Sequence, residues 1–345
     1  FFMKKKIAII GAGWFGCYIA YDLIRSGYDV NVFEKEKEIF LGASGFNQNR
    51  LHQGFHYPRS YKTIQDSKIG YKKFIKKFPN FIKNIRENLY VVAKHKKNLI
   101  DFKIYKQILK ANSLFFKEEN NKYNLKNING IISCREKLID TDAAKKFFDK
   151  KLKKNLFTKY KIKSFKERKN KIFLNNQYFD NLVNCTWQSS FPNKNLDIIY
   201  EACLFFLYQC KKKNHPALTI MDGPFITLYP KKKDLFTLYS VKFTRLKSFK
   251  KFENCENYLK NKIKKINLKK IRRQHENQIS YFYPNFNKNF KFLKPILTYR
   301  TIINNANAER SSKISQNGRI INLLSGKIDH IFESSREIKK CLKKY

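Results

Sequence analysis

A short apolar run, Ile7 to Ile10, breaks at Gly11 and opens the spacing Gly11-x-Gly13-x-x-Gly16. From Trp14 to Ser26 the apolar residues follow a helical period, with Phe15, Ile19 and Leu23 on one face and Gly27 as the stop. Asp29 to Phe33 then reads as a second strand, closed by the acidic Glu34. Strand, glycine turn, helix and strand within about 30 residues is the size of a βαβ unit, which requires a parallel sheet and a right-handed crossover. Each glycine has a physical reason. Gly11 allows the tight turn, Gly13 lets backbone approach a pyrophosphate, and Gly16 lets helix and strand pack closely. The free N–H groups and positive dipole end of the helix suit phosphate, and Glu34 is placed to accept hydrogen bonds from ribose hydroxyls. The chain therefore opens with a dinucleotide-binding unit, although this fingerprint alone does not separate FAD from NAD.

That unit also settles the character of the N-terminus. Lys4 to Lys6 before an apolar stretch imitates a secretory signal, but the stretch contains the complete fingerprint and reads as a core strand. No uninterrupted apolar run reaches the ~18 residues of a membrane span. Seven scattered cysteines without a CxxC pair suggest free thiols in a reducing cytoplasm, and neither a zinc site nor a disulfide framework. The 345 residues carry 73 Lys and Arg against 27 Asp and Glu, a formal net charge of +46. Such a charge would attract polyanions, and a nucleic-acid partner is possible. However, lysine runs such as Lys4–Lys6, Lys211–Lys213 and Lys231–Lys233 recur along the whole chain, which favours compositional drift over one binding surface.

Further along, Ile64 to Leu89 reads as a basic helix and Tyr90 to Ala93 as a strand. Asp140 or Thr141 caps a helix running to Leu152. Lys161 to Phe165, Lys171 to Leu174 and Asn181 to Asn184 look like strands, and β-character continues through Tyr200–Cys210, Ala217–Tyr229 and Leu235–Thr244. Phe249 to Leu268 looks helical, Arg319 to Leu324 strand-like, and Asp329 to Leu342 a last helix. Without a linker or repeat, the fold class expected is α/β. A Rossmann-type domain from residues 1–80, 135–200 and 301–345 interleaves with a mixed-sheet α+β substrate domain from 81–134 and 201–300.

The stretch from residue 41 to 60 is long for a structureless loop, and such loops are usually functional. It reads Gly42-Ala43-Ser44-Gly45-Phe46-Asn47-Gln48-Asn49-Arg50-Leu51-His52-Gln53-Gly54-Phe55-His56-Tyr57-Pro58-Arg59-Ser60. It resembles the flavoprotein family that includes D-amino-acid oxidase, glycine oxidase and L-2-hydroxyglutarate dehydrogenase, and His52-x-Gly54-x-x-Tyr57 is most similar to the hydroxyglutarate dehydrogenase pattern. Two further segments fit the same family. Val183-Asn184-Cys185-Thr186-Trp187 resembles the strand end beside the flavin, with Trp187 a departure from the family's usual Ala-Thr-Gly. Ile320 to Ile328 resembles the final strand and helix entry facing the flavin pyrimidine.

The resemblance implies non-covalent FAD. It would be held by Gly11, Gly13, Trp14, Phe15 and Gly16, by Glu34 and Lys35, and by Ala43, Ser44, Asn49, Arg50 and Leu51. Thr186, Trp187, Gly326, Lys327 and Ile328 complete that set. It also implies hydride transfer to flavin N5 from a CH–OH or CH–NH group of a small polar, carboxylate-bearing substrate, a hydroxy acid being somewhat favoured. The electron acceptor stays open between oxygen, a quinone and a protein. A nucleotide-linked sugar, or RNA, is the alternative substrate. His52 and His56 are candidate bases because imidazole titrates near neutrality. Gly54 and Pro58 oppose the helix that a His-x-x-x-His metal site would use, so no metal is expected. Tyr57 is a candidate pocket wall or donor. Arg50, Arg59, Arg300 and Arg310 are candidates for a substrate carboxylate, with Arg300 preferred because family members hold a carboxylate from that region.

Overall fold

A computed structural model describes residues 4–223, 225–261, 266–304 and 312–344. The first strand, Lys6–Ile10, lies at the heart of a six-stranded sheet between Asn181–Asn184 and Asp29–Phe33. Both pairings are parallel, with Ile10 opposite Asn184 on one side and Phe33 on the other. Ile320–Leu324 extends the sheet in parallel beyond Asn181–Asn184, Leu156–Phe157 extends it beyond Asp29–Phe33, and Lys313–Asn317 adds an antiparallel edge. Strands buried on both faces need apolar side chains on both faces, which is why Ile7, Ala8, Ile9, Val30 and Val32 all stand at 0% exposure.

Helices Trp14–Arg25, Tyr61–Lys77, Thr141–Leu152 and Ile331–Leu342 cover one face. Their seam is aromatic. Trp14 stacks on Phe40 at 4.8 Å and meets Phe74, Phe81 and Phe148 edge-on at 6.0, 6.4 and 6.2 Å. Each such buried ring contributes on the order of 2 kcal/mol by area alone. The other face is covered by a three-stranded meander, Lys166–Arg168, Lys171–Leu174 and Gln177–Phe179, whose Ile172, Leu174 and Phe179 pack on Ala8, Ile10 and Phe33.

The second layer is a nine-stranded, mostly antiparallel sheet. Its spine is Ile198–Cys210, paired along its whole length with Phe290–Ile303 and on its other edge with Leu235–Ser240 and Arg245–Phe249. Ile226–Lys232, Ala217–Met221, Asn88–Ala93, Ile128–Cys134 and Phe116–Glu118 complete it. Between the two layers sits a small ladder of Arg50–Leu51, Lys137–Ile139 and Ile82–Asn84.

Three sequence expectations about elements are corrected. The helix read over Ile64–Leu89 runs from Tyr61 to Lys77, because Pro79 cannot continue it and the chain turns into Ile82–Asn84. Lys161–Phe165 is not a strand; the first strand of the meander begins at Lys166. The single helix read over Phe249–Leu268 is Phe252–Asn261, and Leu268 instead opens a separate helix to Phe282, capped by Asn267 on the Lys270 N–H. Among the described residues no helix is long and apolar enough to cross a membrane.

Candidate active site

At the carboxyl ends of the parallel strands the two layers enclose a cleft of about 700 Å³. Gly11 turns the chain at φ +96°, its N–H donating to the Phe33 carbonyl at 2.8 Å, and a Cβ there would stand 2.9 Å from the Cys185 carbonyl oxygen. The helix then starts with no side-chain cap on Gly13. A Cβ at Gly13 would fall 2.8 Å from the Ser44 hydroxyl, and one at Gly16 would fall 1.9 Å from the Gly11 carbonyl oxygen. The turn is thus a cradle that side chains would fill. Glu34 ends the second strand with one oxygen accepting from the Ala12 N–H at 2.6 Å and the other from the Glu36 N–H at 3.0 Å. The loop that follows is braced by Asn47, which donates to the Ala43 and Ser44 carbonyls and accepts from the Asn49 N–H. The Ser44 hydroxyl accepts from the Trp14 N–H at 3.0 Å, at the mouth of the helix.

Of the residues expected at the site, Gly11, Gly13, Trp14, Phe15, Glu34 and Lys35 line the cleft. So do Ala43, Ser44, Asn49, Arg50, His52, His56 and Tyr57, together with Thr186, Trp187, Arg300, Gly326, Lys327 and Ile328. Gly16 and Leu51 do not; Gly16 packs against the turn below, and Leu51 is buried in the helical core. Trp14 reaches the cleft while its ring belongs to the aromatic seam. Arg59 is absent from the cleft and faces Asp222 at 3.6 Å with its side chain 59% exposed, and Arg310 lies outside the described residues. Trp187 takes a left-handed φ of +56° and donates from its indole N–H to the Ser325 carbonyl at 2.9 Å, tying together the two segments expected beside the flavin. Lys327 lies 3.7 Å from the Tyr57 ring centroid and donates to the Ser67 hydroxyl at 2.7 Å.

Beneath the loop lies a buried polar network. The Glu136 carboxylate accepts from the Gln53 N–H and from the Tyr90 hydroxyl, each at 2.7 Å. Arg50 Nη2 donates to Tyr90 and Thr219 at 2.9 and 2.8 Å and stands 3.8 Å from Glu136, with the guanidinium 4.0 Å from the Tyr229 ring centroid. His52 Nδ1, cut off from solvent, lies 3.8 Å from the other Glu136 oxygen. Burial works to raise the Glu136 carboxyl, but His52, Arg50 and the Gln53 N–H outweigh it and hold it at about 2. Burial pushes His52 down to about 4 against the pull of Glu136. Near neutral pH the contact is therefore between a carboxylate and an uncharged imidazole. The His56 ring lies 5.3 Å from that of His52 and 4.4 Å from that of Phe225.

Arg300 is already engaged. It lies directly opposite Glu201 across the spine ladder, donates to that carboxylate from Nε, and reaches the Tyr239 hydroxyl at 3.2 Å from Nη1. Glu136, Glu201, Tyr90 and Tyr239 were not among the expected site residues. Single acids and tyrosines inside β-like runs have no spacing that marks them, and they are functional neighbours only through sheet register.

A family model described as FAD dependent oxidoreductase (DAO) matches residues 6–142. The chain is 32% identical over 335 residues to the FAD-dependent monooxygenase FPY4 of Fusarium mangiferae, covering 96% of this chain and 90% of that one. Among solved structures, L-alpha-glycerophosphate oxidase from Mycoplasma pneumoniae with FAD bound superposes with a TM-score of 0.75 at 14% identity, over 99% of this chain and 95% of that one. Glycine oxidase from Geobacillus kaustophilus gives 0.70 at 10% identity, over 99% and 95%. These two likenesses are of fold.

Proposed function

The chain belongs to the DAO family of FAD-dependent oxidoreductases, and from that premise we propose which of its residues hold the cofactor and which carry the reaction. The glycine cradle and the N-terminus of the first helix take the pyrophosphate, Glu34 the adenosine ribose, and Ala43 to Arg50 the chain leading to the flavin. Thr186, Trp187 and Gly326 to Ile328 close over the ring. The nucleotide-binding domain comprises 1–80, 135–200 and 301–345, and 81–134 with 201–300 form the substrate domain. Bound FAD supplies the two-electron oxidant, accepting a hydride.

His52 is the base. Its Nδ1 is committed to the Glu136 side, so Nε2 is the nitrogen offered to the cleft. A substrate CH–OH or CH–NH group would give its O–H or N–H proton to Nε2 while bound FAD would take the hydride, leaving C=O or C=N. The resulting imidazolium then faces the Glu136 carboxylate, which favours the protonated form and positions the ring without touching substrate. The observation that carries this reading is the continuity of one cleft from the glycine turn to His52. Purified protein should release FAD on denaturation. Anaerobic addition of substrate from a panel of alcohols, hydroxy acids and amines should bleach the flavin absorbance, and bleaching should be lost in His52→Gln. Retained bleaching in that variant would overturn the assignment of the base.

The likeness to the Fusarium FAD-dependent monooxygenase supports a second reading, monooxygenation. One atom of O2 would enter the substrate and the other leave as water, with two electrons from a nicotinamide donor. Dependence of turnover on that donor, with label from 18O2 in the product, would favour it over direct dehydrogenation.

A further inference from the structure

We infer that the substrate half of this cleft accepts an uncharged ring compound bearing hydroxyl or carbonyl oxygens, and discriminates against a carboxylate. The inference deepens the function proposed above and rests on the same cleft. It starts from how the chain uses its few acids. With 73 basic residues and 27 acidic ones, a carboxylate is scarce, yet Glu136 and Glu201 are both buried to 1% exposure and each stands against an arginine of the cleft.

Arg50 stands 3.8 Å from Glu136, with Nη2 donating to Tyr90 and Thr219 and its guanidinium on the Tyr229 ring; its Nε and Nη1 are buried without a hydrogen-bond partner, so a ligand oxygen reaching them shares the guanidinium with Glu136. Arg300 is fixed by ladder register, because residue 300 is the cross-strand partner of residue 201 and the ion pair forms without any choice of rotamer by a distant loop. Glu201 also meets Arg245 at 3.4 Å, but that side chain is 61% exposed and lies outside the cleft, so its charge is screened by water. The remaining cation at the inner end, Lys327, is turned onto the Tyr57 ring and the Ser67 hydroxyl.

A substrate carboxylate docking on Arg300 would share one guanidinium with Glu201 in a poorly solvated site. Two like charges there repel by an amount that a surface pair never feels. A carbonyl or hydroxyl oxygen meets no such repulsion and can accept from the guanidinium or from the Tyr239 hydroxyl. The same cleft is lined by Phe46, Phe205, Phe225, Tyr239, Val241 and Leu297, with the Phe205 and Tyr239 rings 6.0 Å apart, apolar surface suited to a ring. In this chain Arg300 carries its own internal carboxylate, Glu201.

The test titrates the FAD-loaded full chain with benzoate and with its neutral isostere benzamide, reading the visible spectrum of the bound flavin. Benzamide is expected to bind at least roughly tenfold tighter than benzoate, and Glu201→Gln, which keeps the shape and removes the charge, to raise benzoate affinity by about tenfold. Tighter binding of benzoate, no binding of benzamide, or no gain in Glu201→Gln would overturn the inference. Should Glu201→Gln fail to retain FAD, the paired substitution Arg300→Met with Glu201→Met takes its place. Benzoate affinity kept or raised in that variant supports the inference, and its loss makes Arg300 a carboxylate anchor after all. Binding is read without turnover, so bleaching retained in His52→Gln, which would remove the proposed base, produces none of these outcomes.

Discussion

The Glu136 carboxylate stands 3.8 Å from Nδ1 of His52, and the two residues come from opposite strands of the small ladder's neighbourhood, one just before Lys137–Ile139 and the other just after Arg50–Leu51. Because Arg50 pairs with Leu138 in that ladder, the register that aligns the strands also sets the distance between acid and imidazole. A carboxylate held there changes what His52 can do, and the two positions should respond differently to substitution.

His52→Gln should reduce substrate-driven flavin reduction by about 10²- to 10⁴-fold, the range for loss of a general base, with FAD content unchanged. Glu136→Gln should cost less in rate. It removes the group that raises the His52 pKa, so the acidic limb of kcat/KM should move to lower pH than in the unaltered enzyme, where His52 sits at about 4. The same change strands the buried Arg50 charge and should lower stability by about 3 kcal/mol or more in urea melts. An unmoved acidic limb would remove Glu136 from the positioning role.

Acid should unfold this protein early. His52, His215, His275 and His330 are each pushed from 6.5 to about 4, with burial the main cause. A histidine held below its unfolded value binds its proton more readily in the unfolded chain, so stability present above pH 6.5 is lost as pH falls toward 4. Each group can contribute up to about 3 kcal/mol. Asp329, raised to about 6 mainly by burial, works the other way, adding stability as pH falls from 6 toward 3.8. Four groups outweigh one, so thermal melts should show Tm falling steeply between pH 6.5 and 4. The carboxylate of Glu136, lowered from 4.5 to about 2, extends that loss below pH 4.5.

The glycines of the turn should separate by what surrounds them. A methyl at Gly16 would collide with backbone, 1.9 Å from the Gly11 carbonyl oxygen, and Gly16→Ala should yield little folded protein. A methyl at Gly13 meets only the Ser44 side chain, which can rotate away. Gly13→Ala should therefore fold with a near-normal melt but retain far less FAD per chain, because the added methyl occupies the approach of the pyrophosphate.

Salt should stabilise the chain. At a net charge of +46 the surface repels itself, and raising ionic strength from about 10 to 150 mM shortens the screening length from about 30 to 8 Å. Tm in sodium chloride should rise over that range, and a flat response would mean that local ion pairs already cancel the repulsion.

The parallel sheet was legible because its opening strands and helix obey local rules. Ile7 to Ile10, Gly27 and the Asp140 cap each act on their immediate neighbours, and the Asp140 carboxylate indeed accepts from the Asp142 and Ala143 N–H groups. The helices Phe102–Ala111 and Leu268–Phe282 were missed because their buried stripes are thin. Tyr105 and Leu109 are the buried pair in one, and His275, Ile279 and Phe282 the stripe in the other, where a histidine counts as polar until burial shows otherwise. At the site, the loop from Gly42 to Tyr57 was readable as a contiguous motif. Glu136 and Glu201 were not, since their meaning depends on partners that only strand register brings within reach.

The paired strands Ile198–Cys210 and Phe290–Ile303 form a long ladder, shifted once in register between Leu207 and Tyr208, that carries Cys203, Thr298 and Arg300 in the cleft wall and runs on to Cys210 and Phe290 at the far end. The chain steps from one layer to the other at Cys134 to Lys137, so the Glu136 it carries is anchored to the large sheet through Cys134 and to the small ladder through Lys137.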